Sequence, residues 1–533
     1  MDIIKEKILL VGSVLTMLAA GFFIIGPVAP DDAYITYWAS YSLLEYGSIL
    51  NYNLNYVEQS SSLLQVLLIY AASLTSGLDV VYLGQISSII FGVVCIIGVY
   101  LIEKDLGLKS FYGTYLTAFQ PILCYWSFGG LETTLVASCM LLWVYSSYKY
   151  LGTEGNYLYL LVTSTILLSS VRPEMVIFLI CVGIYFLLGT ALVEEKRKLA
   201  IFALCIITAS VIPTLFRLLY FESLFPQPVY AKKGSEVLGG VKYAITYLIG
   251  YNVFSKLNLL GFSSFSIVAA SWFVSLFISL YKNIFLKINY ATYVISISLV
   301  VYMLFIVLSG ADWMPARRFI VHILPVASIL LSVVLNRCNY KIYKKIAFTI
   351  VLSMTLISWI NVDSSSWRGV AYWDRQEHLE ESQSQHPDLA DRMWFERNSR
   401  KFIRKYTKYN MIVENLNSGL PNILVSEAGI PLFYLSRYQR DQIGSLADMH
   451  GLFHRKFSSC SDIDIQSNHF GMMVSREYVM SNSDMLKRKC DIPVFQMVSF
   501  MTQDNKALKS LLESGEYRLV TEADSQESLL VRE

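Results

Sequence analysis

From residue 8 to residue 362 the sequence is a succession of apolar runs, most of them close to the roughly 20 residues that a helix needs to cross a hydrocarbon core. They fall at 8–29, 80–102, 111–128, 131–148, 157–171, 175–193, 199–216, 257–281, 288–308, 319–335 and 346–362. Backbone N–H and C=O groups find no water in lipid, so such runs fold as helices. The chain is 54% hydrophobic and 16% charged, too apolar for an ordinary soluble globule. The expected fold class is therefore a polytopic α-helical membrane protein with about 11 transmembrane helices. The first run follows MDIIKEK and has no small-residue cleavage site, so it reads as a retained anchor.

One further stretch, SLLQVLLIYAASLTSGLD at 62–79, decides the topology. Its uninterrupted apolar part is about a dozen residues, the length of an interfacial segment. If it does not span, Lys5, Lys7, Lys104, Lys109, Lys149, Lys196, Arg197, Lys198, Lys282, Lys287, Arg337, Lys341, Lys344 and Lys345 fall on one side. The positive-inside rule assigns that side, and with it the N-terminus, to the cytoplasm. Residues 62–79 are accordingly expected as a helix on the outer surface.

In this register residues 30–79 form one large outside loop with Asp31, Asp32, Glu45, Glu58 and Asp79 and no Lys or Arg. The segments YWSFGGLETT (125–134), SVRPEM (170–175), FRLLYFESLFPQPVYAKKG (216–234) and SGADWMPARRF (309–319) fall on the same face. Charges at span ends are costly in lipid and more often line a shared aqueous cavity. The 43 basic residues nearly balance the 41 acidic ones without a long basic run, so no nucleic-acid partner is expected. Among eight cysteines, Cys460 and Cys490 are the pair suited to a disulfide in an oxidising compartment.

The string Asp31-Asp32-Ala-Tyr-Ile is followed by Asn51-Tyr-Asn53, Val57-Glu58-Gln-Ser-Ser, Gly130-Leu-Glu132-Thr, Arg172-Pro-Glu174, Pro226 to Lys232, and Gly310-Ala-Asp312-Trp-Met-Pro-Ala-Arg317-Arg318-Phe. In this order, on one face, these strings resemble the polyprenyl-phosphate-dependent glycosyltransferases of the GT-C type. Within that superfamily the chain is most similar to the mycobacterial terminal arabinofuranosyltransferases and their relatives, and SEAGIPLFYLSRYQRDQIGSLAD (426–448) is similar to a segment of their outside C-terminal domain. The resemblance implies a GT-C fold and transfer of a sugar, a pentose such as arabinofuranose or a hexose, from a polyprenyl-phosphate donor. The acceptor would be a cell-envelope glycan or glycolipid hydroxyl at the outer face of the bacterial inner membrane. Lipid A, teichoic acid or protein are alternative acceptors.

A sugar already activated on phosphate needs a base for the acceptor hydroxyl and cations for the departing phosphate. Asp31 or Asp32 would supply the base, and the resemblance favours Asp31; the bland reading is that the pair caps the helix that follows. Arg172, Lys232, Lys233, Arg317 and Arg318 are the candidates for the phosphate, with Lys232 and Arg317 foremost, because they are cations on a face that otherwise avoids them. Span-end Arg and Lys also snorkel to ordinary lipid phosphates, and Arg172 has pairing with Glu132 or Glu174 open to it. Glu58, Glu132 and Asp312 could hold sugar hydroxyls or brace the cations. Tyr34, Trp38 and Trp126 suit stacking on sugar or isoprene, and equally an interfacial aromatic belt. A divalent cation between Asp31 and Asp32 stays open.

The chain thus divides into a membrane domain, 1–362, and a polar α/β domain, 363–533, expected in the periplasm. There NILVSEAGI (422–430) reads as a buried strand running into a glycine turn, and EYRLVTEADSQESLLVRE at the end as a strand or hairpin. His450 and His454 share a spacing that suits a metal but no third ligand is near. A transporter or flippase is disfavoured, because the spans are nearly free of interior charge while a transport site lies near the midplane.

Overall fold

In a computed structural model of the 533-residue chain, the structure describes residues 3–26, 30–153, 156–189, 196–231, 290–308, 318–337, four positions between 342 and 359, 420–425, 429–448, 465–468, 471–474, 483–495, 497–501, 517–522 and 527–532. Helix α1 (Ile3–Ala20) runs on through a wider turn at Gly21–Ile25. It is followed by α2 (Asp31–Tyr46), α3 (Leu63–Ser76), α4 (Val80–Asp105), α5 (Tyr112–Ala118), α6 (Pro121–Ser127), α7 (Thr133–Gly152), α8 (Leu158–Val171), α9 (Pro173–Gly189), α10 (Lys196–Phe221) and α11 (Gln227–Ala231). Further on lie α12 (Tyr290–Leu308) and α13 (Arg318–Arg337). Five of the described helices are long and apolar enough to cross a membrane: Ile4–Ile25, Val80–Asp105, Lys196–Phe221, Tyr290–Leu308 and Arg318–Arg337. The expected runs at 257–281 and 346–362 lie outside the described residues but for three positions of the second.

The expected single span at 111–128 is corrected to two short helices, α5 and α6. Pro121 has no N–H and holds the preceding Gln120 extended (φ −78°, ψ 119°), so the helix ends and restarts. The Phe119 carbonyl freed by the break accepts the indole N–H of Trp359 at 2.8 Å.

The two ends of the bundle are chemically distinct. At one end Glu6 meets Lys104 at 3.2 Å, Asp105 meets Lys149, Lys198 donates to the Leu151 and Thr153 carbonyls, and Asn336 bonds the Ser110 backbone. The opposite end carries the 30–79 segment. Helix α3 stays there: Ser62 caps its start beside Ser60 and Thr36, and Asp79, just past its end, caps α4. Its 14 residues rise only about 21 Å, and both of its ends are tied into the 30–79 segment.

The C-terminal region contains β1 (Ile423–Val425), α14 (Ile430–Tyr438), β2 (Leu446–Asp448), β3 (Ile465–Asn468), β4 (Gly471–Val474), α15 (Ser483–Cys490), β5 (Met497–Met501), β6 (Tyr517–Glu522) and β7 (Glu527–Arg532). Five strands form a mixed sheet in the order β2-β1-β5-β7-β6, with β1 parallel to both neighbours and β7 antiparallel to both of its own. The strand expected at 422–430 appears as β1, and the terminal hairpin as β6 and β7. Cys490 is disulfide-bonded; Cys460, its expected partner, lies outside the described residues, as do His450 and His454.

Candidate functional site

The acidic segment 30–79 is built on α2, which starts after an extended Pro30 and carries Asp31 and Asp32 in its first turn. The loop behind it is held by its own polar side chains. Asn51 turns the chain by accepting from the Asn53 and Asn55 N–H groups at 3.0 and 2.9 Å. Gln59 accepts from Tyr52 N and donates to the Ile35 carbonyl of α2, and Ser60 bonds Thr36 at 2.9 Å. The motifs at 51–53 and 57–61 thus make a rigid shelf. Tyr37 of α2 donates to the Gly130 carbonyl at 3.1 Å, where φ is +70° and a Cβ would strike the Tyr37 hydroxyl, so only glycine fits.

One face of α2 docks on α14. Asp31, Tyr34, Trp38 and Tyr41 recur at i, i+3, i+7 and i+10, a single helical stripe. The Asp31 carboxylate accepts the Gly429 N–H at 2.9 Å and the Ile430 N–H at 2.7 Å, capping α14. Tyr34 packs on Phe433 and Tyr434, and Trp38 and Tyr41 pack on Phe433. The Arg437 guanidinium lies 4.5 Å from the Tyr41 ring centroid and pairs with Asp79 at 2.8 Å. Asn53 bonds both backbone groups of Leu446, donating at 2.7 Å and accepting at 2.8 Å, and so occupies edge strand β2.

Two buried ion clusters stand at the same end of the bundle. Arg217, one turn before the end of α10, is 1% exposed and donates through Nε to both oxygens of Glu58, at 2.8 and 3.1 Å. Burial pushes the Glu58 carboxyl above its usual range while Arg217 pulls it back. The second cluster centres on Arg172, extended before Pro173, which donates to Glu132 and Glu174. Burial opposes its charge, but the two carboxylates outweigh that and hold its pKa above the ordinary arginine value. Arg172 and Arg318 both lie over the Phe319 ring, 5.4 and 5.5 Å from its centroid.

Of the residues singled out in the sequence, Asp31, Asp32, Tyr34 and Trp38 lie on α2, Glu58 on the shelf, Glu132 and Arg172 in one cluster, and Arg318 beside it. Tyr34, Trp38 and Trp126 are buried, the first two under α14. Lys232, Lys233, Asp312 and Arg317 lie outside the described residues. Glu132, at the N-cap of α7, makes no capping bond and turns to Arg172 instead. Among the described residues no three His, Cys, Asp or Glu side chains gather as a metal-ligand set, and both Asp31 oxygens face backbone N–H groups. Sequence reasoning missed Arg217, Asn53 and Arg437 as working residues. Their signal was present in part: each falls inside a string already singled out, and Arg217 ends an apolar run.

No protein-family model matches the chain, and no curated protein matches its sequence. The fold does have solved counterparts. ArnT from Cupriavidus metallidurans bound to undecaprenyl phosphate superposes with a TM-score of 0.55 at 12% identity, covering 99% of this chain and 98% of ArnT. Its apo state gives 0.54 at 13% identity, over 98% and 97% of the two chains. Fainter likenesses are to the Archaeoglobus fulgidus oligosaccharyltransferase in complex with zinc and sulfate (TM-score 0.48, 12% identity, 92% of this chain and 68% of that one) and to the mycobacterial arabinofuranosyltransferase AftD (0.46, 10% identity, 100% and 40%). The chain has a GT-C-like fold.

Proposed function

We propose, with the GT-C-like fold as premise, that this chain moves a sugar from a polyprenyl-phosphate donor to a hydroxyl of a cell-envelope glycan or glycolipid. The carrying observation is a carboxylate pair at the start of α2, at the end of the bundle that holds the two buried ion clusters of Arg172 and Arg217, in a fold shared over nearly its whole length with a protein solved bound to undecaprenyl phosphate. In this reading the membrane spans lie within residues 1–362 and the region 363–533 stands in the periplasm. The disulfide at Cys490 supports an oxidising compartment for that region.

The chemistry follows from the groups present. A carboxylate of the Asp31–Asp32 pair takes the acceptor O–H proton as the oxygen attacks the anomeric carbon. The bond from that carbon to phosphate breaks, and the polyprenyl phosphate leaves with the electron pair. Cations oppose the charge that develops on it. Arg172 is braced by two carboxylates, so Lys232, Lys233, Arg317 and Arg318 remain the stronger candidates for that task.

Mass spectrometry of polyprenyl-phosphate sugars in the host tests the reading, comparing the wild-type chain with an Asp31→Ala/Asp32→Ala double variant at matched expression. One lipid-linked sugar is expected to accumulate in the variant while an envelope glycan loses that sugar. An unchanged lipid pool together with unchanged glycans would sink the proposal.

A further inference from the structure

Asp31 does something that base catalysis alone does not require: its carboxylate leaves its own helix and caps another, almost 400 residues away in sequence, through Gly429 and Ile430. We propose that Asp31 is a positioning residue, clamped on the N-terminus of α14 so that the first turn of α2 is fixed, and that Asp32 is the base. This rests on the glycosyltransferase reading above.

Four observations carry the assignment. Both Asp31 oxygens accept backbone N–H groups, and each such bond is strongest to the charged carboxylate, so a proton taken from substrate would weaken the clamp. The N-terminal end of α14 adds its dipole to the same preference for negative charge. Gly429 is the residue the clamp needs, because a Cβ there would run into the Asp31 carbonyl and carboxylate. The clamp stands beside other ties between the 30–79 segment and residues 429–446, among them Tyr52 on the Gly429 carbonyl, Asn53 on Leu446 and Asp79 on Arg437, so α14 is held against sliding. Successive residues on a helix diverge by about 100°, so with Asp31 turned to α14 its neighbour Asp32 points elsewhere around α2.

The test separates capping from proton transfer, since Asn and Ser each keep one of the two acceptor oxygens for the N–H groups of α14 but take no proton. Full-length protein in lipid nanodiscs is compared by amide hydrogen exchange at residues 429–432, and each variant by its lipid-linked sugar turnover in the host. Asp31→Ala and Gly429→Ala are expected to speed exchange there by about 2- to 30-fold, and their double variant to be no worse than the poorer single. Asp31→Asn and Asp31→Ser are expected to keep turnover within about tenfold of wild type, whereas Asp32→Asn loses about 100-fold or more with exchange unchanged. If Asp31→Asn loses as much turnover as Asp32→Asn while exchange at 429–432 is unaltered, Asp31 is the base and the proposal is overturned. Unaltered exchange in Asp31→Ala would overturn the clamp. A wild-type chain whose deletion changes no lipid-linked sugar would instead overturn the glycosyltransferase reading and the base role of Asp32, with the exchange data still deciding the clamp.

Discussion

At the scale of single residues, Glu58 and Arg217 state most clearly what this end of the molecule is built from. Both are nearly inaccessible, at 4% and 1% exposed, and Arg217 Nη2 has no partner among the described residues. A buried pair of this kind adds little net stability, yet removing one member leaves the other charge stranded. Glu58→Gln is therefore expected to destabilise the protein by about 3–5 kcal/mol. Glu58→Met/Arg217→Met should recover most of that loss, as measured by thermal unfolding of the detergent-solubilised chain. Glu58 stood out in the sequence because it is a carboxylate in a loop without cations. Arg217 did not, because an arginine ending an apolar run reads equally as a lipid-phosphate contact, and its partner lies 159 positions away.

At the scale of elements, length and local chemistry explain most of what forms. Helix α3 remains at one end, and Ser62 and Asp79 mark its limits by capping α3 and α4. Pro121 was visible inside an apolar run, but the run's composition hid the break it makes, which is completed by the distant Trp359. Edge strand β2 has a comparable long-range supplement in Asn53, whose side chain satisfies both backbone groups of Leu446. Asn53→Ala is expected to cost about 1–3 kcal/mol of local stability and to speed exchange of the Leu446 amide, with α14 exchange altered less. Equal acceleration throughout 429–448 would mean that Asn53 holds the whole region rather than its edge.

For the whole molecule, the decisive arrangement is that residues 429–448 sit on the 30–79 shelf, at the end of the bundle opposite Glu6, Lys104 and Lys149. Sidedness can then be read from three exposed positions. In intact spheroplasts of a Cys181→Ser background, Asn55→Cys and Tyr438→Cys are expected to react with a membrane-impermeant maleimide, and Lys104→Cys only after permeabilisation. The reverse pattern would place the shelf in the cytoplasm and exclude periplasmic transfer. The membrane class, the strand at 422–430 and the terminal hairpin were legible in the sequence, because apolar length, alternation and turn residues act over a few neighbours. The pairing of Arg172 with Glu132 and Glu174 was open to the sequence reading, whereas the other partners were decided by the tertiary structure alone. Asp31 on Gly429, Glu58 on Arg217 and Asp79 on Arg437 are pairings across 159 to almost 400 residues. Each depends on where helix ends come to rest, and that is fixed by the packing of the whole bundle rather than by any local run of side chains.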